Sequence, residues 1–333
     1  MPDAYTTSTS VDYVKTAYDR LAYPALRPEL YFDAVCDVKP TQQAMPGLTV
    51  QFTIQSDLSV ASTALNESTD VSAVALSDST VTVTLAEYGN TVKTTAALRA
   101  GAFVDIDELV ANVVGYNGGV SIDSVARAVI EAGTNVNYSA GTTSTTPLTR
   151  ATVTTADTLR AYDCRVAQKS LRTQNVPTVN GKYWGFIHPE VAFDLQSETG
   201  TDGWIQPSNY SQVTNIWNGE LGEFQGIRFV ETPRAPEFVN AGSSSASGVY
   251  NVYATLFGGR QAIAKAYSSV DGNGPDPHIV PGPVTDELRR FVTVGWYHLV
   301  GYSVFRQAAL LRVESSSSIQ SLINASVPSI DYQ

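Results

Sequence analysis

Residues 291 to 304 carry no charged side chain and are almost all β-branched, aromatic or glycine, which predicts one long strand buried on both faces. At about 3.3 Å per residue it would span roughly 45 Å, which implies an elongated body. Arg306 and Gln307 mark a bend, and Ala308 to Val313 resume as a second apolar strand before the serines at 315 to 318. Near the other end, Leu48, Val50, Phe52 and Ile54 alternate with polar residues, and Val81, Val83 and Leu85 repeat the pattern. These are the two half-buried strands of a long ribbon, which is marginal alone and needs another surface to lie on. Between them, residues 55 to 80 are rich in Ser, Thr, Asp and Asn with small apolar residues interspersed.

Helical periodicity follows. Ile106, Leu109, Val110, Val113 and Val114 share one face, and so do Ile122, Val125, Ala126, Val129 and Ile130. Gly115, Gly118 and Gly119 predict a break between two helices, and Gly133 a C-cap. Asp105, Asp107 and Glu108 suit a first helical turn. A third helix is expected from about Thr155, with Asp157 in its first turn, Lys169 and Arg172 in its last, and Leu159, Tyr162 and Val166 as its apolar face. Arg160, Arg165, Lys169 and Arg172 make it the most basic element, read as a solvated face or a contact with a partner subunit. Residues 181 to 188 predict a strand running into a helix at Pro189. Closely spaced turn glycines at 219 to 226 precede a strand at 227 to 232, and 250 to 267 read as one or two strands around Gly258 and Gly259. Residues 241 to 248 and 271 to 283 read as loops. Residues 1 to 45 read as an extended arm with a short helix near Val11 to Leu21, unable to fold without a partner surface.

Composition sharpens this pattern. Charged residues make up 16% of the 333, against about 25% in typical soluble domains, which fits a surface engaged with copies of itself. The net charge of −11 disfavours a stand-alone nucleic-acid binder. Cys36 and Cys164 are far apart and read as small buried hydrophobes, not a disulfide or zinc ligands. The first residues show no basic and apolar signal-peptide regions, and no apolar run reaches membrane-spanning length, so synthesis and use in a reducing cytoplasm are expected.

Candidate chemistry is sparse. Of three histidines, His188 reads as a cap on the helix at Pro189, His298 as a buried, hydrogen-bonded core residue beside Val294, Trp296 and Val300, and His278 as a loop residue. No serine sits in a nucleophile elbow, and the glycines at 219 to 226 do not open a phosphate-binding helix. The acidic residues at 105 to 108 lack the spacing of a calcium loop. No catalytic residue, metal or cofactor is indicated.

The order of these pieces, with residues 183 to 195, 219 to 232 and 294 to 313 and the Ala-Gly-Thr-Asn at 132 to 135, resembles the major capsid proteins of tailed bacteriophages. The resemblance covers most of the chain. It implies an α+β fold of the Hong Kong 97 type: an N-terminal arm at 1–45, an E-loop hairpin at 46–92 reaching over a neighbour, a P-domain at 93–153 and 255–304, and an A-domain at 154–254 and 305–333. Residues 120 to 133 would belong to the P-domain's spine helix. Expected subunit contacts are Leu48, Val50, Phe52, Ile54, Val81, Val83 and Leu85 on the E-loop, and Arg160, Arg165, Lys169, Trp204 and Trp217 on the A-domain. Some relatives cross-link through an E-loop lysine, but Gly47 to Val92 contains neither Lys nor Arg, so a non-covalent shell is expected. The arm leaves no room for a scaffolding segment, so a separate scaffolding protein is expected.

The implied function is that of a non-enzymatic shell protein. It assembles through pentamers and hexamers into an icosahedral head around double-stranded DNA, without sequence readout. Implied partners are scaffolding and portal proteins and a possible decoration protein, with no membrane; implied locations are the host bacterial cytoplasm and then the virion. Two alternatives stand beside it: an encapsulin-like nanocompartment, and a secreted β-rich hydrolase or carbohydrate binder using Trp184, Trp204, Trp217 or Trp296.

Overall fold

A computed structural model describes residues 30–41, 48–62, 64–65, 67–68, 70–71, 73–102, 106–141, 147, 149–198, 220–245, 248–268, 274–282, 288 and 290–319. The expected arm helix near Val11 lies outside them. In chain order, β1 (Asp37–Thr41) is followed by the hairpin β2 (Thr49–Gln55) and β3 (Asp78–Thr84), then β4 (Ala86–Thr95) and a short α1 (Ala96–Gly101) capped by the Thr95 hydroxyl. The long α2 (Ile106–Glu131) leads to β5 (Val136–Tyr138), α3 (Ala161–Thr173), β6 (Tyr183–Ile187) and α4 (Pro189–Ser197). Then come β7 (Glu220–Phe224), β8 (Ile227–Glu231), β9 (Glu237–Phe238), a small ribbon of β10 (Ser244–Ser245) and β11 (Gly248–Val249), and β12 (Val252–Gly258). The chain continues through β13 (Ile263–Ser268), β14 (His278–Pro281), β15 (Phe291–Val304) and β16 (Leu310–Ser315).

Two sheets organise the body. In the first, β15 pairs with β4 along one edge and with β14 and then β13 along the other, and β1 lies parallel outside β13. In the second, the order is β5-β16-β12-β6-β8-β7, with β9 also on β12. Two short straps join the sheets, residues 259–262 between β12 and β13, and 305–309 between β15 and β16. They are bonded side by side: the Phe305 amide donates to the Ala262 carbonyl at 2.9 Å and the Gly259 amide to the Ala309 carbonyl at 3.1 Å.

Several sequence expectations change. The two expected helices are one unbroken helix of 26 residues. Its glycines mark close packing: a Cβ at Gly118 would lie 3.2 Å from the Trp296 ring, and one at Gly119 would lie 2.9 Å from Leu30 Cδ1. Contact with β15 and the arm offsets a helix-propensity cost of about 1 kcal/mol per glycine. Gly133 follows the helix without left-handed backbone. α3 starts at Ala161 rather than near Thr155, because the Asp157 carboxylate accepts the Thr154 amide and hydroxyl and closes a turn instead. The helix therefore buries Ala161, Cys164, Ala167 and Leu171, and Tyr162 faces outward.

β15 is also less enclosed than expected. Trp296, His298 and Val300 are buried beneath α2, whereas Tyr297 and Leu299 on the other face are half-buried. Among the described residues, the root of the hairpin packs on that second face, against Leu299. The 271–283 stretch contributes β14, which places His278 on a strand, edge-on to Tyr297. Of the glycines at 219–226, Gly222 lies within β7 and Gly219 lies outside the described residues, and the turn to β8 falls on Gln225 and Gly226, with φ of 51° and 71°. That is the left-handed pair a tight hairpin needs. The main core fills the space around the second sheet with α3 and α4, Phe32 from the arm, and Ala126 and Ile130 from α2.

Candidate subunit interface

The hairpin is anchored at one end and bare at the other. Val50, Val83 and Leu85 are buried against Ala264 and Ala266 of β13, with Phe52, Leu299 and Phe305 closing the cluster. Phe52 meets Phe305 at a ring separation of 5.5 Å. Val50, Val83 and Leu85, expected at a subunit contact, are therefore covered by this chain's own sheet, because the ribbon lies down on the body at its root. Leu48 is exposed, and Ile54 and Val81 are half-buried. Beyond them, Leu58, Val60, Leu65, Val71, Val74 and Leu76 stand in solvent, Val60 at 89% exposure. These six were not among the expected contacts, since their irregular spacing gives no period to read. Their signal was large apolar residues inside a polar loop.

At the opposite side of the body, the start of the described chain is pinned by charge. Asp123 of α2, buried to 1% exposure, accepts the Phe32 amide at 2.8 Å and the Asp33 amide at 3.3 Å, and pairs with Arg234 Nε at 3.2 Å. Burial pushes the Asp123 carboxyl above its ordinary range, against the lowering effect of Arg234. The Arg234 guanidinium also donates to Ser124 Oγ at 2.8 Å. Asp33 itself takes Lys265 Nζ at 2.6 Å and the Tyr302 hydroxyl at 2.5 Å. One short segment is thus tied to the long helix and to the first sheet, and the Asp123–Arg234 pair adds a link to the loop after β8.

Arg165 on α3 and Arg160 at its N-cap are half-buried and Lys169 on α3 is exposed, so the structure brings these three along one helix and its cap; Trp204 and Trp217 lie outside the described residues. A cavity of about 810 Å³ opens elsewhere, between the 31–37 segment, the 178–182 turn and strands β6 and β8. Tyr31, Val35, Trp184 and Phe186 form apolar walls, and Lys182, Arg228 and Arg260 line it with Asp37. Lys182 is paired with Glu223. Sequence reading missed this cavity because its residues come from distant positions.

The histidines hold no catalytic arrangement. His188 caps α4, its Nδ1 accepting the Glu190 amide at 3.4 Å, and burial lowers its pKa to about 4. His298 is fully buried, yet neither ring nitrogen has a hydrogen-bond partner, which corrects the expectation of a hydrogen-bonded residue. Burial, followed by the Lys265 charge, lowers its pKa. Burial pushes both thiols up, and Cys164 is fully enclosed. Among the described residues, no group of three His, Cys, Asp or Glu side chains is placed to hold a metal, and no helix is long and apolar enough to cross a membrane.

A family model described as phage capsid protein matches residues 7–315. The chain belongs to the phage capsid protein family. No curated protein sequence matches it. Among solved structures, the capsid of Ralstonia phage GP4 is 14% identical, with a TM-score of 0.71 over 92% of this chain and 96% of that one. The cyanophage Pam1 capsid is also 14% identical, with a TM-score of 0.73 over 96% and 100%. The head of Helicobacter pylori bacteriophage KHP40 is 12% identical, with a TM-score of 0.68 over 95% and 99%. This capsid protein has the Hong Kong 97-type fold, and it is a structural component of a virion head shell.

Proposed function

We propose that this capsid protein closes rings of five and six copies into an icosahedral head around double-stranded DNA, with the hairpin loop as its main reach onto a neighbour. The observation that carries this reading is the loop at 56–77, whose six large apolar side chains are left exposed by a hairpin whose root is firmly packed. Surface of that kind marks a contact with another chain. Division into an arm at 1–45, an E-loop at 46–92, a P-domain built on α2 and the first sheet, and an A-domain built on the second sheet accounts for the two separate sheets. In that division β12 and β5 belong with the A-domain, so its boundaries differ from those drawn from sequence at 153 and 255. The basic face of α3 then meets a neighbour in the ring.

The role is structural and not enzymatic. The contacts are non-covalent, since residues 47–92 contain no lysine. Assembly proceeds in the host bacterial cytoplasm with a separate scaffolding protein, a portal and a possible decoration protein, and packaged DNA is met without sequence readout. Sedimentation velocity and negative-stain microscopy of the purified chain, alone and with its scaffolding protein, test this. Rings or closed shells are expected; a chain that stays monomeric under both conditions would overturn the reading.

A further inference from the structure

The geometry points to an amide bond between Lys265 Nζ and the side-chain carboxyl of Asp33, formed within a single chain by loss of water. Lys265 on β13 is 2% exposed. Among the described residues, the one hydrogen-bond partner of its ammonium is Asp33 Oδ2, at 2.6 Å. An ammonium carries three N–H donors, so the ion pair leaves a buried cation under-satisfied; the Tyr302 ring, 5.8 Å away, adds a weak attraction. An amide nitrogen keeps one N–H and no charge, which costs less in a dry site.

Both carboxylate oxygens are held. Tyr302 donates its hydroxyl to Asp33 Oδ1 at 2.5 Å, and the Asp33 backbone amide is fixed on Asp123 at 3.3 Å. Proton transfer from Nζ to Oδ2 along the existing hydrogen bond leaves a neutral amine beside a carboxylic acid. The nitrogen lone pair attacks Cγ, and the displaced electrons settle on Oδ1, where the Tyr302 hydroxyl stabilises the oxyanion. A second proton passes from nitrogen to Oδ2, the Cγ–Oδ2 bond breaks, and Oδ2 leaves as water while the carbonyl re-forms at Oδ1. The ammonium gives up two protons and the carboxylate one oxygen, the two charges cancel, and no oxidant or other reactant is needed. The Asp33 side chain is 28% exposed, which gives the water an exit. Holding the groups in contact supplies the effective concentration that free side chains lack. The bond spans 232 positions and locks the start of the described chain to the first sheet. It joins parts of one chain, so contacts between copies stay non-covalent.

Denaturing intact-mass spectrometry of the purified full-length chain is the test. Wild type should be lighter than its sequence by one water. A tryptic digest should contain a branched peptide joining the segment around Asp33 to the segment around Lys265, with no cleavage at Lys265. Lys265→Met should show its full sequence mass. Tyr302→Phe, which keeps the ring and loses the donor, should lower the linked fraction of freshly made chain by about tenfold or more. Wild type of full mass, with Lys265 open to trypsin after prolonged incubation of the folded chain, would overturn the inference and leave an ion pair alone. So would a missing water that persists in Lys265→Met. The branched peptide is read from wild type, so the test stands even where a variant fails to fold.

Discussion

The carboxylate of Asp123 accepts the backbone amide of Phe32 across 91 positions of sequence, at 2.8 Å. That bond is made by a side chain that simultaneously neutralises Arg234, itself 6% exposed. Asp123→Ala should cost about 3–5 kcal/mol, because it leaves a buried guanidinium without its counter-charge. Urea unfolding checks this, and Asp123→Leu combined with Arg234→Met should recover a large part of the loss.

Removal of the exposed loop separates folding from assembly. With residues 58–76 replaced by a short Gly-Ser turn, the melting temperature should stay within about 2 °C, since the described side chains there, Leu58, Val60, Leu65, Val71, Val74 and Leu76 among them, are exposed and add no core. Ring and shell formation should be abolished in sedimentation velocity. A shortened chain that still assembles would remove the loop from the interface.

His188 predicts an acid limit to stability. Its folded pKa is held at about 4 by burial, below the unfolded value of about 6.5. The unfolded chain therefore takes up a proton first as pH falls. The favourable neutral cap is fully present above about 6.5 and is lost progressively down to about 4, a change on the order of 3 kcal/mol. In His188→Asn, which keeps a capping side chain, the urea midpoint between those pH values should vary less than in wild type.

Two glycines give opposite outcomes. A Cβ at Gly258 would lie 2.1 Å from the Trp184 ring, so Gly258→Ala should destabilise the second sheet by about 1–3 kcal/mol or more. At Gly101, the last residue of α1, a Cβ would meet nothing within 4 Å. Gly101→Ala should be neutral or stabilising by up to about 1 kcal/mol. Thermal melts of the two variants check the contrast.

What the sequence disclosed depended on periodicity. The alternation at 48–54 and 81–85 specified two strands with one apolar face each, because a period of two puts every second side chain on the same face. Pro189 after His188 marked a helix start, since proline is suited to the first turn. Glycines misled in α2: Gly118 and Gly119 carry the same local signal whether they interrupt a helix or let Trp296 and Leu30 approach it, and only the tertiary contact distinguishes the two. Asp157 misled in the same way, as one carboxylate can close a turn or open a helix. The cavity left no trace, because Tyr31, Trp184, Arg228 and Arg260 converge only after both sheets have formed.

The paired straps at 259–262 and 305–309 act as a two-pin joint. They are bonded to each other through Phe305 with Ala262 and Gly259 with Ala309, so the two crossings between the sheets are held side by side. The long helix α2 spans the same junction, with Val114 and Ile122 on the first sheet and Ala126 and Ile130 in the core of the second.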